Sequence, residues 1–414
     1  MTGKLSSFLL VIVMSAFSTT THAAPPSSAA FPPPDKLPAI KDLPDPFTFN
    51  DGSRVKTKED WAKRREELQA AILYYEYGQL PPAPGNTTGV ELVSSGYREY
   101  QNMQHRVYKV SCGPDNKVNF TLDLIVPKTK GPHPVILRGD LGWGKLPDEI
   151  AVEVIKRGYI LAEFNRTELA PDNLGYRKTG VFLAYPDADC GAVAAWAWGF
   201  HRCVDFLLTL DYVDKGKITI TGHSRGGKAV LLAGATDPRV ALTVPNNSGC
   251  GGAGCYHFQA PKSEDILAIT KSFPFWFGPR FEKFFVESKM ETKDGKETAT
   301  RTSHIDRLPI DQHEVKALVA PRALLETEAL GDLWANPEGS RQTYLAAKEV
   351  YKFLGVPEKI AIVYREGGHA HGPDDWTVLL DYADQLFYGK KSDRIFDPNP
   401  FPNTPKTFTW TAPQ

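Results

Sequence analysis

Charge of one sign, cysteine and long apolar runs are all in short supply in this chain. The 48 Lys and Arg residues against 49 Asp and Glu leave a formal net charge of −1 over 414 residues. That balance gives no basis for binding nucleic acid or an anionic membrane, so charge-based recognition must be local to a site. Cysteine occurs five times, at Cys112, Cys190, Cys203, Cys250 and Cys255. The spacings lack the doubled short pairs of a zinc site. An odd number leaves at least one thiol unpaired within the chain even where disulfides are permitted. Each cysteine reads equally well as a small buried apolar residue. Beyond the N-terminus no apolar run is long enough to cross a bilayer, and no internal repeat is visible.

What is present begins with a targeting pattern. Lys4 precedes the short apolar stretch FLLVIVMSAF at residues 8–17, and Thr21-His22-Ala23 followed by Ala24 offers small residues for cleavage. Residues 1–23 are therefore expected to be a signal peptide, which implies a secreted or periplasmic protein. Residues 24–45, rich in Pro, Ala and Ser, read as a flexible or extended leader. Residues 46–414 read as a single domain.

Within that domain, residues 57–78 have helical periodicity behind a Thr57-Lys58-Glu59-Asp60 start. Two strands are expected at 106–111 and 119–126, separated by the turn cluster Gly113-Pro114-Asp115-Asn116. Strands and helices then alternate. Strands are predicted at 134–137, 159–164, 217–221, 240–244, 322–328 and 360–364, with helices at 146–157, 191–210 and 226–235. This order predicts an α/β fold with a mainly parallel sheet covered by helices on both faces. Residues from 248 to about 308 show no clear alternation and read as an insertion at the sheet's C-terminal edge.

Gly222-His223-Ser224-Arg225-Gly226 is a G-x-S-x-G. An apolar strand leads into it and a small-residue helix leaves it, the strand–turn–helix context of a nucleophile elbow. Such a turn lifts the Ser224 hydroxyl above the sheet and sets the Arg225 N–H beside a developing oxyanion. A serine hydroxyl needs a histidine base, and the base needs an acid to fix its tautomer. In the α/β-hydrolase fold the chain order is Ser, acid, His. Asp332 follows the strand at 322–328, and Gly367-Gly368-His369-Ala370-His371-Gly372 follows the last strand. Asp332 could instead cap the helix after Pro337. By position alone either His369 or His371 can be the base, and a His-x-His pair can also suggest a metal, although no third ligand lies nearby in sequence.

The chain resembles the glucuronoyl esterases of carbohydrate esterase family 15, of the bacterial type. The segments that carry the resemblance include Trp61-Ala62-Lys63-Arg64-Arg65, Ala195-Trp196-Ala197-Trp198-Gly199, Gly222 through Lys228, Ser248-Gly249-Cys250-Gly251-Gly252, Ser272-Phe273-Pro274-Phe275-Trp276-Phe277, Asp332-Leu333-Trp334-Ala335-Asn336-Pro337 and Gly368-His369-Ala370-His371. The resemblance implies an α/β-hydrolase that cleaves the ester between 4-O-methyl-glucuronic acid on xylan and lignin alcohols. It makes Ser224 the nucleophile and gives Arg225 an oxyanion role through backbone and guanidinium. It implies that Lys228, Trp334 and Glu264 bind the sugar. Fungal relatives carry the catalytic glutamate where this chain has Asn247, and an amide cannot stabilise an imidazolium. The acid is therefore expected to be Asp332. The same relatives have cysteines at the positions of His223 and Gly372, so their disulfide is missing here. The alignment favours His371 over His369 as base.

The implied mechanism needs no metal and no cofactor. The expected partner is a glucuronoxylan or lignin–carbohydrate ester, acted on by a monomer. Two other readings fit the residues less closely: another exported carbohydrate esterase, such as an acetyl-xylan or cinnamoyl esterase, and a non-catalytic carbohydrate-binding protein on the same fold.

Overall fold

The computed structural model describes residues 31–92, 103–293 and 296–414. The expected signal peptide, residues 1–23, lies outside them. Among the described residues nine strands form one sheet, in the order β1-β2-β3-β5-β4-β6-β7-β10-β11. β1 (Thr88–Leu92), β2 (Met103–Cys112) and β3 (Val118–Pro127) run antiparallel at one edge, and β3 pairs antiparallel with β5 (Ile160–Phe164). From β5 onward every pair is parallel, through β4 (His133–Arg138), β6 (Val213–His223), β7 (Leu242–Asn246), β10 (Ala323–Ala329) and β11 (Ile360–Arg365).

Alternation along the central strands shows why helices cover both faces. In β4, Val135 and Leu137 enter one apolar cluster and Ile136 enters the other. In β10, Leu324 faces the first cluster, Ala323 and Leu325 the second. A strand buried on both sides needs a layer on each. The first layer holds α1 (Lys58–Ile72), α3 (Val181–Ala184), α4 (Ala192–Leu207), α5 (Arg225–Thr236), α7 (Gln312–Val319) and α8 (Pro337–Leu354), and the second holds α2 (Asp148–Lys156) and α9 (Pro373–Tyr388). α1 opens on the reciprocal box its sequence announced: Thr57 Oγ1 accepts from Asp60 N at 3.1 Å, and the Asp60 carboxylate accepts from Thr57 N at 3.1 Å.

Several expectations need amendment. The helix expected to run to residue 78 stops at Ile72, and Leu73–Tyr77 continues as a wider π-turn ending on Gly78. The proline-rich leader is not free from residue 31 onward. Phe31 stacks on Tyr74 with centroids 4.7 Å apart, and Leu37 and Leu43 are buried. Enough apolar side chains punctuate the prolines to hold the segment down. The insertion has its own elements, α6 (Ile266–Ser272) and a hairpin of β8 (Phe285–Lys293) with β9 (Lys296–Ser303). All five cysteines are unpaired and buried, as small apolar residues.

β10 also buries charge. Glu326, on the α7–α8 side, accepts from Lys316 Nζ at 2.6 Å, with both side chains fully buried, and Lys316 also donates to Thr343 Oγ1 at 2.8 Å. Removing one partner strands the other in a medium that cannot solvate it. Lys316→Met is expected to cost about 3–5 kcal/mol of unfolding free energy in urea titration. Lys316→Met combined with Glu326→Gln is expected to recover a large part of that loss, and a single variant as stable as the parent would contradict the pairing.

Candidate active site

β6 delivers Ser224 at the C-terminal end of the sheet, where the chain turns into α5. Ser224 has φ 55° and ψ −122°, outside the favoured regions for a side-chain-bearing residue. Two glycines make the turn possible. A Cβ on Gly222 would lie 2.7 Å from the Gly226 carbonyl oxygen, and one on Gly226 would lie 2.2 Å from a carboxylate oxygen of Asp140. Backbone bonds fix the turn on both sides: Ser224 N donates to Asn246 O at 2.9 Å, and His223 N donates to Asp140 Oδ2 at 2.8 Å. Arg225 is the first residue of α5, so its N–H belongs to the set that no helical carbonyl accepts. With the positive end of the helix dipole behind it, that N–H favours an anion.

The acid and its histidine come from neighbouring loops. Asp332 Oδ2 lies 2.5 Å from Nδ1 of His369, with Asp332 buried and the His369 side chain 44% exposed. The structure thus pairs Asp332 with His369, not with His371 as the alignment favoured. The reason is backbone register: Leu330 N donates to Arg365 O at 2.9 Å and Gly331 N to Gly367 O at 2.9 Å, which zips the Asp332 loop to the start of the histidine loop. Two residues later the chain has turned away, and His371 stacks on Trp376 with centroids 5.2 Å apart. Burial, reinforced by the electrostatic influence of His223 and the positive charges of Arg138 and Arg365, holds the His371 imidazole well below its ordinary range. Asp332 is also not the cap of α8. Asn336, in the left-handed region, accepts from Gly339 N at 3.0 Å and does that work. Among the described residues no group of three or more His, Cys, Asp or Glu side chains is arranged to hold a metal ion.

His223 joins this group without having been singled out beforehand. Its ring lies 4.5 Å from that of His369 and 5.7 Å from that of His371, centroid to centroid. His223 is the chain neighbour of Ser224, so His369 packs against the elbow. Asn246 Nδ2 donates to Thr327 Oγ1 at 2.9 Å, so its Oδ1 accepts from His223 Nδ1 at 2.7 Å. Asn247 is also structural: its Nδ2 donates to Ala370 O at 3.0 Å, and its Oδ1 accepts from Ala329 N at 2.7 Å. The amide ties the end of β10 to the residue after His369.

On the other side of the elbow lie the remaining expected residues. Lys228, one turn into α5, is buried and donates to Ser248 O at 2.6 Å and Cys250 O at 2.5 Å, with Glu264 Oε2 at 4.0 Å. Burial pushes the Lys228 ammonium down and the Glu264 carboxyl up, each opposed by the charge of the other. Glu264 N donates to Trp334 O at 2.9 Å, and Trp334 is 54% exposed. The Arg225 guanidinium bonds Asp172 through Nη1 at 2.9 Å, and Trp276 Nε1 donates to the other oxygen of Asp172 at 2.8 Å. Ser224, Arg225, Lys228, Glu264, Trp334, Asp332 and His369 therefore form one constellation, and His371 stands behind it.

Four residues that sequence reasoning missed, Asp140, Arg166, Trp143 and Asp172, adjoin this constellation. Asp140, fully buried after β4, accepts from the buried Arg166, and Arg166 lies over the ring of Trp143 at 4.2 Å. Asp172 holds Arg225 and Trp276 as described. A strand end followed by Gly139-Asp140 was the available signal for the first of these.

A family model of fungal glucuronyl esterases matches residues 110–355. The 4-O-methyl-glucuronoyl methylesterase 1 of Wolfiporia cocos is 32% identical over 344 residues, covering 80% of this chain and 76% of the relative. The chain belongs to the glucuronoyl esterases. Among solved structures, a carbohydrate esterase family 15 glucuronoyl esterase from Caldicellulosiruptor kristjansonii superposes with TM-score 0.75 at 30% identity, covering 92% of this chain and 99% of that one. A serine-to-alanine variant of the Sporotrichum thermophile glucuronoyl esterase, in complex with methyl 4-O-methyl-beta-D-glucopyranuronate, superposes with TM-score 0.69 at 26% identity, covering 86% and 91%. The α/β-hydrolase fold expected from the strand and helix order is the fold of this family.

Burial, with the positive charge of His369 second, pulls the His223 imidazole down to about 4 from an ordinary value near 6.5. Because the depression arises on folding, the stability tied to neutral His223 is complete above pH 6.5 and lost as pH falls toward 4. In an NMR titration the His223 ring resonances are expected to stay at their neutral position from pH 8 to 5 and to move with a midpoint near 4. A midpoint near 6.5 would show that the ring is solvated.

Proposed function

We propose that this protein is a serine esterase that hydrolyses esters of the glucuronic acid carboxyl, with (4-O-methyl-)glucuronoyl groups on xylan as the acyl part and lignin-type alcohols as leaving groups. The observation that carries the reading is the Asp332–His369 pair packed on His223, the chain neighbour of a strained Ser224, in a chain of this family. Asp332 fixes the Nδ1–H tautomer of His369 and leaves Nε2 to take the proton of Ser224. Ser224 Oγ attacks the ester carbonyl, and the Arg225 N–H, helped by the charge of its guanidinium, stabilises the oxyanion. His369 returns the proton to the departing alcohol. Water then attacks the glucuronoyl-serine, giving its proton to His369, and Ser224 is released.

Lys228, Glu264 and Trp334 bind the sugar ring in this reading. Two of the three Lys228 donors are already committed to the carbonyls of Ser248 and Cys250, so one remains to share between Glu264 and a sugar hydroxyl. Trp334 offers an exposed ring face of the kind a sugar's C–H surface covers. Export through residues 1–23 would bring the enzyme to a polymeric substrate, and no step calls for a metal or organic cofactor.

The test is hydrolysis of benzyl glucuronate beside p-nitrophenyl acetate. Ser224→Ala and His369→Ala are each expected to lower kcat for the glucuronate by about 10³-fold or more, and Asp332→Asn by about 10³–10⁴-fold. His371→Phe, which keeps a ring on Trp376, is expected to stay within about tenfold of the parent, a range set by packing changes alone. The reverse order of the two histidine variants would return the base to His371. Serine-dependent hydrolysis of acetate alone would keep the triad and discard the glucuronoyl substrate.

A further inference from the structure

Trp143 is large, aromatic and 49% exposed, yet its position is fixed. It ends a short 3-10 turn, Leu141–Trp143, directly after β4 and Asp140. Trp143 N donates to Asp140 O at 2.9 Å, and Arg138 Nη1 donates to Gly144 O at 3.0 Å, which pins the backbone on both sides of the ring. The buried Arg166 guanidinium covers the Trp143 ring at 4.2 Å and is itself held by Asp140 and by the ring of Trp196 at 5.1 Å. An arginine so placed attracts the ring's π-cloud and orients it. The Trp143 ring also lies edge-on to His223, with centroids 6.0 Å apart and planes 72° apart, and 5.8 Å from the Arg225 guanidinium.

That position has a chemical meaning, given the glucuronoyl esterase reading above, on which this inference rests. In the tetrahedral intermediate the alcohol oxygen must face His369, the group that protonates it. Lys228, Glu264 and Trp334 lie together on the acyl side. His223 bridges His369 to Trp143, so an alcohol leaving past His369 runs toward the Trp143 ring. We propose that Trp143 is a specificity-determining residue whose exposed face receives an aromatic group of the leaving alcohol. An aryl ring stacked there is held during acylation and released with the alcohol, so the contact acts on kcat/KM and not on hydrolysis of the glucuronoyl-enzyme, which is common to all esters of one acid.

The experiment measures kcat/KM for methyl, cyclohexylmethyl and benzyl glucuronate. Comparing the benzyl ester with its saturated counterpart separates an aromatic contact from bulk and greasiness. The parent protein is expected to prefer benzyl over cyclohexylmethyl, and Trp143→Leu, which keeps an apolar side chain, is expected to reduce that preference about five- to tenfold. Trp143→Phe is expected to retain most of it. An equal fall for all three esters in Trp143→Leu, or no benzyl preference in the parent, overturns the assignment. If the parent turns over acetate but none of the glucuronates, the glucuronoyl reading itself has failed, and this one with it.

Discussion

A serine held at φ 55° persists only where its surroundings over-determine it, since such a conformation costs on the order of 1–3 kcal/mol. Here the constraints come from three directions. Asn246 O takes the Ser224 N–H, Asp140 takes the His223 N–H, and the Gly222–Gly226 contact closes the turn too tightly for any Cβ. Asp140 is central because it serves two structures at once. Its carboxylate anchors the elbow from below and neutralises Arg166, which in turn supports Trp143. Loss of that one carboxylate would free the turn before the nucleophile and leave a buried guanidinium without its counter-charge.

The Asp332–His369 contact depends on a different device. Asp332 and His369 sit on loops that follow adjacent parallel strands, and adjacent strand ends bring loop residues together only if the loops stay in register. Two backbone bonds between the loops and the Asn247 side chain keep it. The position at which the resemblance expected a fungal glutamate therefore does mechanical work here. An amide that accepts from Ala329 N and donates to Ala370 O fits only because it carries both a donor and an acceptor. A carboxylate could accept from Ala329 but would face the Ala370 carbonyl with no proton to give.

The frame of the fold was readable because its signals are local and periodic. Strands buried on both faces are short apolar runs, and the G-x-S-x-G between a strand and a small-residue helix has a geometric cause in the close approach of Gly222 and Gly226. Ser224, the Arg225 N–H and Asp332 follow from that frame, whereas Lys228 was named only through the family resemblance. Which of His369 and His371 meets Asp332 does not follow from it. Both are glycine-flanked and separated by one residue, and the decision lies in a backbone bond from Gly331 to Gly367, which no side-chain pattern encodes. Asp140 and Asp172 were silent for a related reason: each works through partners more than 25 positions away, such as His223, Arg225 and Trp276. The leader was legible only in part. Its composition is that of a flexible segment, but Phe31, Leu37 and Leu43 outweigh it once a surface exists to receive them.

The neutrality of His223 connects these observations. In the proposed mechanism His369 becomes an imidazolium at the transition state, and a second imidazole 4.5 Å away is tolerable there only if it stays uncharged. At an effective dielectric of about 20, two unit charges at that separation repel by several kcal/mol. Burial keeps His223 in that uncharged state. His369 is 44% exposed and bonded to a carboxylate, whereas the His223 ring bonds only the neutral amide of Asn246. The same packing explains how the chain dispenses with a cross-link at this position. His223 touches His369, His371 and Trp143, and an aromatic side chain with neighbours on several faces restrains them through contact, without a covalent bond.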